Sequence, residues 1–163
     1  RILKACDLLY PRRVVGMGGI WQWPDGREVP DNFEMICEYP RGMTVYVLGT
    51  MSNRQGIDHL IRGYRGTMYF TGKGWVAKDK DGKVLAEHKR TGAEDIVLHH
   101  ANLHACLRAG ERLRCPAELG LAGVVPVCMA LESWRTGRMM AWDREKDQMV
   151  PADSVPFDPY PAT

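Results

Sequence analysis

The sequence has little excess charge and no long apolar run. Basic residues barely outnumber acidic ones, 22 against 20, and the formal net charge is +2. So small an excess argues against a nucleic-acid partner, and no aromatic residues interleave with the densest basic stretch, residues 108–114. No apolar run reaches about 18 residues without a polar interruption, so no membrane partner is predicted.

The cysteines form no recognisable motif. The five cysteines are an odd number, and no two of them have the C-x-x-C spacing of a redox motif or a zinc site. Three lie in strongly apolar segments, where a free thiol behaves as a small core side chain. This usage is typical of a reducing compartment, so we expect a cytoplasmic protein.

A glycine cluster lacks what a cofactor loop requires. Residues 16–19 read Gly-Met-Gly-Gly and follow a strand-like segment, as a dinucleotide-binding loop does. The fingerprint needs a third glycine where Trp21 stands, and a helix must follow to hold the pyrophosphate. Residues 20–24 are aromatic and turn-like instead. We interpret the cluster as a strand with glycine bends, and expect no cofactor-binding residue in this chain.

Metal-binding and catalytic motifs are equally incomplete. His100 and His104 have the spacing of zinc ligands on a helix, but Ala101 stands where a zinc protease places its general base. No acid–base pair or activated nucleophile stands out elsewhere. The sequence therefore predicts no metal site and no catalytic residue within this chain.

Strand signals fill the first half. Residues 33–39 and 43–49 alternate in polarity around Pro40-Arg41-Gly42, which predicts a hairpin with a three-residue loop and Gly42 in the left-handed conformation. Further strands are predicted at residues 66–71 and on both sides of a two-residue turn at 81–82.

The predicted register of the first hairpin separates two faces. One face is apolar, and the other is mixed because acidic residues alternate with Ile36, Tyr46 and Leu48. A mixed face suits a sheet that meets a partner or a substrate, so we predict an oligomer contact at these three residues. The predicted pairs are Tyr39–Met43, Cys37–Val45 and Met35–Val47 on the apolar face, and Glu38–Thr44, Ile36–Tyr46 and Glu34–Leu48 on the mixed face.

The second half is predicted to be helical. A capping box at residues 91–94 precedes a helix that ends at Gly110, with Ile96, Leu103 and Leu107 on one face.

A second helix is predicted from Pro116, as its first residue, to about Gly137, and it passes through Pro126. Residues 138–142 are a plausible last strand, and residues 151–163 form a proline-rich tail that we expect to be extended. Strands followed by helices predict an α+β fold with an antiparallel sheet.

Two groups of residues are candidates for substrate binding. Trp21, Trp23 and Arg27 cluster around one turn; aromatic faces beside an arginine suit a sugar-like or carboxylated ligand, and equally suit a subunit interface. His99 and Asn102 are polar groups on a helix whose opposite stripe is apolar. Surface or structural hydrogen bonding is their simpler interpretation, and a pocket wall that binds substrate hydroxyls is the alternative.

With these residues in view, the chain resembles the carboxy-terminal domain of the Gfo/Idh/MocA oxidoreductases, the glucose–fructose oxidoreductase and inositol dehydrogenase type. The order and spacing of the matching stretches agree over nearly the whole chain. They are Pro11-Arg12-Arg13-Val14 to Gly18-Gly19, residues 25–31 with the Tyr39-Pro40-Arg41-Gly42 turn, residues 61–67, and His99-x-x-Asn102 with Cys106-Leu107-Arg108, Gly137-Arg138 and Trp142-Asp143.

The resemblance implies an open, mostly antiparallel sheet with helices packed on one face, and a second face that pairs subunits into a homo-oligomer. It also implies a parent enzyme whose Rossmann domain binds NAD or NADP and which oxidises sugars, polyols or their derivatives. The family's catalytic Lys belongs to that other domain, and its catalytic His falls just before Arg1. No catalytic residue is therefore carried over.

Residues 1–150 are predicted to be the substrate-binding and oligomerisation domain of such an oxidoreductase, without its amino-terminal Rossmann domain and inactive alone. The chain begins without Met in what reads as a helix at residues 1–9, so we expect a piece of a longer protein. The alternative is a free-standing α+β binding or assembly module with no catalytic activity.

Overall fold

The computed structural model describes residues 2–92 and 95–156, and the chain divides into two compact units. The first unit comprises Arg1–Arg54 and Cys115–Thr163, and the second comprises Gln55–Arg114. The elements in chain order are α1 (Ile2–Ala5), β1 (Arg13–Gly19), β2 (Asn32–Tyr39), β3 (Met43–Thr50), β4 (Leu60–Gly63), β5 (Gly66–Thr71), β6 (Gly74–Lys78), β7 (Val84–Lys89), α2 (Ile96–Ala109), α3 (Ala117–Thr136), β8 (Met140–Asp143) and β9 (Gln148–Pro151).

The first unit is a five-stranded antiparallel sheet in the order β3-β2-β1-β8-β9, with α3 packed on one face. The second unit contains a four-stranded antiparallel meander in the order β4-β5-β6-β7, followed by α2. The α+β class with antiparallel strands is confirmed, and the strands are shared between two sheets.

The β2–β3 hairpin has the register that its alternation predicts. Tyr39 pairs with Met43, and the partners continue without a shift to Asn32 and Thr50. The loop is the 3-10 turn Pro40–Gly42, in which both Arg41 and Gly42 are left-handed, with φ of 65° and 69°. Alternating polarity fixed this register because a slip of one residue would expose the whole apolar face.

The core of the first unit lies between the apolar sheet face and α3. It combines side chains from β1, β2, β8 and the segment after α1 with three from α3, and Met129 at its centre has no exposed surface. Pro126 lies inside α3 and is buried, so the helix does continue through it. The core residues are Leu8, Val14, Met35, Cys37, Tyr39, Val125, Met129, Ala130 and Met140.

Close packing of α3 on β1 depends on Gly16. A side chain at this position would place its Cβ 2.1 Å from the carbonyl oxygen of Ala130, so the helix could not lie where it does. β8 pairs only with Arg13 and Val14, which leaves the following part of β1 open on that side. There the Gly16 amide donates to Ser133 Oγ at 3.1 Å. Side chains of α3 thus satisfy backbone groups that a neighbouring strand would otherwise satisfy.

The sequence suggests that Gly120 and Gly123 let another element approach α3 closely and that the helix packs near Val45 and Val47; both expectations are wrong. Gly120 and Gly123 do not admit a neighbouring element, because a Cβ at either position would meet nothing within 4 Å. The helix packs mainly against β1, whereas Val47 on β3 is exposed and only Val45 reaches the edge of the core. The close approach comes from a glycine on the sheet rather than from glycines on the helix.

The ends of α3 and the chain segment after it differ from the sequence prediction in detail. Pro116 occupies the N-cap rather than the first helical position, while the predicted end at Gly137 is confirmed by its left-handed C-cap. Pro151 ends β9, and Ala152–Ser154 forms a 3-10 turn, so the predicted extended tail does not begin at 151. Residues 157–163 lie outside the described residues.

Local turns of the second unit also correct the sequence prediction. The β6–β7 turn has three residues, because the Asp79 amide donates to the Lys83 carbonyl at 2.9 Å and the Gly82 amide donates back to the Asp79 carbonyl at 3.2 Å. Asp95 caps α2 by accepting from the Val97 amide at 2.8 Å. Residues 93 and 94 of the predicted capping box lie outside the described residues.

One described helix, α3, is long and apolar enough by length and composition to cross a membrane. Six of its residues are nevertheless buried, and the buried side lies on the sheet. This is the arrangement of a core helix. Packing on the sheet accounts for the apolar residues on this buried side.

Candidate functional site

The loop between β1 and β2, residues 20–31, is held by one buried carboxylate. Asp31 is 1% exposed, and its oxygens accept the backbone amides of Trp21 (3.1 Å), Gln22 (2.8 Å) and Trp23 (3.0 Å). The side chain of Asn32 donates to it as well, at 2.9 Å. Three consecutive amides that converge on one carboxylate fix the backbone that carries both tryptophans.

The hydrogen bonds outweigh the effect of burial on Asp31. Burial alone raises the pKa of a carboxyl group, but the backbone amides of Trp23, Gln22 and Trp21 and the Asn32 amide lower the pKa of Asp31 to about 2. The group is therefore ionised at neutral pH and acts as an acceptor for all four donors. It does not have the raised pKa of a general acid.

The loop presents two aromatic side chains outward. Trp21 is 71% exposed although one edge of its indole lies against Gly19, where an added Cβ would come within 2.3 Å of the ring. Trp23 is more enclosed, because the guanidinium carbon of Arg27 lies 5.5 Å from its ring centre. A rigid loop that exposes a large aromatic surface is a candidate ligand site.

Arg27 is tied to Asp25 within the same loop. Its Nε and Nη2 donate to the two carboxylate oxygens of Asp25 at 2.8 and 2.7 Å. The hydrogen bond to Arg27 lowers the pKa of Asp25 to about 2, and the pKa of Arg27 is raised in return. Of the predicted cluster, Trp23 and Arg27 are in contact, and Trp21 lies on the same loop; their role in substrate binding stays a prediction.

The second candidate pair lies on α2, in the other compact unit. His99 is exposed, and its ring contacts His100 edge-on. Asn102 uses both ends of its amide within the chain: Nδ2 donates to the Arg112 carbonyl at 3.1 Å and Oδ1 accepts the Arg114 amide at 2.8 Å. Asn102 thus anchors the segment that follows α2, and its role in substrate binding stays a prediction.

The sheet face opposite α3 exposes the three residues predicted for an oligomer contact. Ile36 on β2 pairs directly with Tyr46 on β3, and Leu48 lies two residues further along β3 on the same face. Tyr46 is 59% exposed, and Met17 on β1 extends the apolar surface. Glu38, which accepts from Arg13 Nε at 2.9 Å, forms a charged border at one end.

The described residues form neither a nucleotide site at the glycines of β1 nor a metal site. Gly16, Gly18 and Gly19 lie inside or at the end of β1, which confirms the strand interpretation, and a loop rather than a helix follows them. These residues therefore do not fit a dinucleotide, whose pyrophosphate needs a helix N-terminus. Among the described residues, no group of three or more His, Cys, Asp or Glu side chains is arranged to hold a metal ion.

Sequence reasoning missed the roles of Asp25 and Asp31. Both belong to the Asp-Gly-Arg-Glu-Val-Pro-Asp stretch, and Asp31 directly precedes β2. An acidic residue at the base of a loop rich in turn signals is the available clue, because Asp side chains commonly accept backbone amides in turns. The partners of Asp31, eight to ten residues upstream, could not be read from the sequence.

No protein-family model and no curated protein matches this sequence. Solved structures do match. An aldose-aldose oxidoreductase from Caulobacter crescentus, complexed with glycerol, has a TM-score of 0.64 and 17% identity, over 82% of this chain and 42% of its own. The fold is that of the carboxy-terminal domain of Gfo/Idh/MocA-type oxidoreductases.

Two further structures of this type share the fold. An oxidoreductase from Agrobacterium radiobacter, in complex with NAD+, L-tartaric acid and magnesium, has a TM-score of 0.60 and 14% identity, over 81% of this chain and 43% of its own. The WlbA dehydrogenase from Bordetella pertussis, in complex with NADH and UDP-GlcNAcA, has a TM-score of 0.54 and 17% identity, over 82% of this chain and 39% of its own. The chain spans less than half the length of each of these proteins.

Proposed function

We propose that this chain is the substrate-binding and oligomerisation part of an NAD(P)-dependent oxidoreductase that acts on a sugar- or polyol-like substrate. The observation that carries the proposal is the loop at residues 20–31, where buried Asp31 fixes a backbone that exposes Trp21 and Trp23. The same fold occurs in an aldose-aldose oxidoreductase and in a dehydrogenase solved with a sugar nucleotide. His99 and Asn102 are the other proposed substrate-side residues.

The nucleotide cofactor, NAD or NADP, belongs in this proposal to a part of the enzyme outside this chain. Structures with the same fold were solved with NAD+ and NADH and are more than twice as long as the matched part. The glycines of β1 are occupied by packing within the chain: Gly16 lies against Ala130 of α3, Gly18 against Asn32 of β2 and Gly19 against Trp21. The chain alone is therefore inactive even where it binds a substrate, because hydride transfer also needs the nucleotide-binding part.

The coding region upstream of Arg1 gives the decisive test. We expect it to continue in frame and to encode a dinucleotide-binding fingerprint, and the complete protein to reduce NAD(P)+ with polyols or sugars. The isolated chain should show no NAD(P)(H) binding by calorimetry tighter than about 10 μM, some −7 kcal/mol. A start codon directly before Arg1 would instead favour the free-standing binding module and reject the oxidoreductase.

Assembly through the sheet face opposite α3 is the second part of the proposal. Ile36, Tyr46 and Leu48 leave apolar surface in water, which disfavours a monomer by roughly 25 cal/mol per Å² that a partner would cover. We therefore expect a homo-oligomer in the cytoplasm, with this face between subunits.

Sedimentation equilibrium of the chain tests the assembly. Tyr46→Glu should weaken association at least about tenfold, since it puts a charge into an apolar contact. Tyr64→Glu is the matched control, because Tyr64 is fully exposed in the turn between β4 and β5 and lies outside this face. A strict monomer at high concentration, unchanged by Tyr46→Glu, would refute the contact.

A further inference from the structure

The pairing of Asp25 with Arg27 bears on which ligands the loop can take. Asp25 accepts from Nε and from Nη2 of Arg27, and the guanidinium lies over the Trp23 ring. The edge formed by Nε and Nη2 is one that arginine uses to bind a carboxylate through two parallel hydrogen bonds. That edge is already occupied by Asp25, and the ring covers part of the remaining surface.

The other charges of the loop also disfavour a ligand that carries a carboxylate. Asp25, Glu28 and Asp31 are carboxylates, and Arg27 is the only cation between residues 20 and 31. Glu28 is exposed, and the Arg27 hydrogen bond keeps the pKa of Asp25 low, so Asp25 is ionised at neutral pH. A ligand carboxylate would therefore meet net negative charge at short range, whereas an uncharged ligand would not.

The remaining surface suits a neutral ring that carries hydroxyl groups. Trp21 offers an exposed aromatic surface against which the C–H groups of a ring can pack. Gln22 is exposed beside it, and an amide side chain both donates and accepts hydrogen bonds, as hydroxyl groups require. The sequence left both a sugar-like and a carboxylated ligand open, and the contacts of Arg27 separate the two.

We propose that the Asp25–Arg27 pair makes this loop selective for a neutral hydroxylated ring and against its carboxylated counterpart. The inference rests on the proposed function, because it assumes that the substrate binds at this loop. Asp25 acts through Arg27, because it masks the guanidinium. Removal of the Asp25 charge would make the Nε–Nη2 edge available to a ligand carboxylate beside Trp23.

Two probes that differ by one group test the selectivity. The whole chain, labelled with 5-fluorotryptophan, is titrated with glucose and with glucuronate to about 100 mM, a range suited to weak ligands. The ¹⁹F resonances of Trp21 and Trp23 are assigned by Trp21→Phe and Trp23→Phe. We expect both resonances to shift with glucose, and glucuronate to bind at least about fivefold more weakly.

Asp25→Asn should reverse this order, with the ratio of glucuronate to glucose affinity rising at least about tenfold. The matched control is Asp153→Asn, which breaks an exposed pair with Arg138 elsewhere in the same unit and should leave the ratio unchanged. Unchanged ¹⁹F resonances of Trp134 and Trp142 verify that the variants keep the fold. This readout is a preference between ligands, which a merely structural role of Asp25 would not invert.

Each remaining outcome rejects a distinct statement. If the unmodified chain binds glucuronate as well as glucose, or if Asp25→Asn leaves the ratio unchanged, the charge selectivity is wrong while the loop remains a ligand site. If neither sugar shifts Trp21 or Trp23 in either protein, both the selectivity and the placement of the substrate at this loop are wrong.

Discussion

The two compact units are built from similar strands but differ in what covers them. In the first unit α3 lies on the sheet, and the side chains between the two layers are buried. In the second unit no described residue is buried, although Met68, Phe70 and Trp75 alternate along β5 and β6 in the same way. Alternation makes a strand, but only a second layer turns its apolar side into a core.

The comparison extends to the helices. α3 has six buried residues, whereas α2 has none among those described, and Ile96 and Leu107 are about as exposed as surface residues. Both sequences carry apolar residues at helical spacing. Local stability should therefore be concentrated in the first unit, because buried apolar contacts raise the free energy of local opening.

The largest expected effect comes from truncating a core side chain of the first unit, and the matched truncation in the second unit should have a much smaller one. Met129→Ala should lower the free energy of unfolding by about 2–5 kcal/mol, since Met129 is fully buried between α3 and the sheet. Met68→Ala, the matched change in the second unit, should cost less than about 1 kcal/mol because Met68 is only partly buried. Urea unfolding of both variants gives the two values. Equal losses would mean that the second unit has a comparable core.

A smaller effect is expected where α3 meets β1. Gly16→Ala should destabilise the chain by about 1–3 kcal/mol, because its Cβ would collide with the Ala130 carbonyl and the helix must move. Gly123 lies on α3 with open space around it, so Gly123→Ala should instead stabilise the folded chain by up to about 1 kcal/mol through helix propensity. Thermal unfolding distinguishes the opposite signs, and a neutral Gly16→Ala would show that the contact is loose.

The smallest effect concerns the loop anchored by Asp31. The pKa of Asp31 is about 2 in the folded chain, below the value of about 3.9 expected when unfolded. Ionised Asp31 therefore stabilises the fold above about pH 4, and this contribution is lost as the pH falls through about 2. Asp31→Asn should lower the Tm by roughly 5 °C at pH 7, and the Tm of this variant should fall less steeply as the pH is lowered.

The Tm is measured from pH 7 to pH 2 by circular dichroism, and Asp58→Asn, an exposed acid of the second unit, serves as the control. If the curves of Asp31→Asn and the unmodified chain run parallel, the hydrogen bonds from the loop amides do not hold the ionised carboxylate.

Features governed by neighbouring residues were predictable. The β2–β3 register followed from alternation around Pro40-Arg41-Gly42, and the end of α3 followed from Gly137. The length of the β6–β7 turn was not predictable in this way, because an Asp-Gly pair fits a loop of two residues or of three. The hydrogen bonds of Asp79 select the three-residue loop.

The sequence by itself determined the α+β class and the strand at Gly16–Gly19, because each depends on residues close together in the chain. Only the tertiary structure decided why Gly16 must be a glycine, since Ala130 lies 114 positions away, and which of two amphipathic helices is buried. It also decided that Asp31 accepts the backbone amides of both tryptophans. Contacts of this kind depend on distances in space that periodicity does not encode.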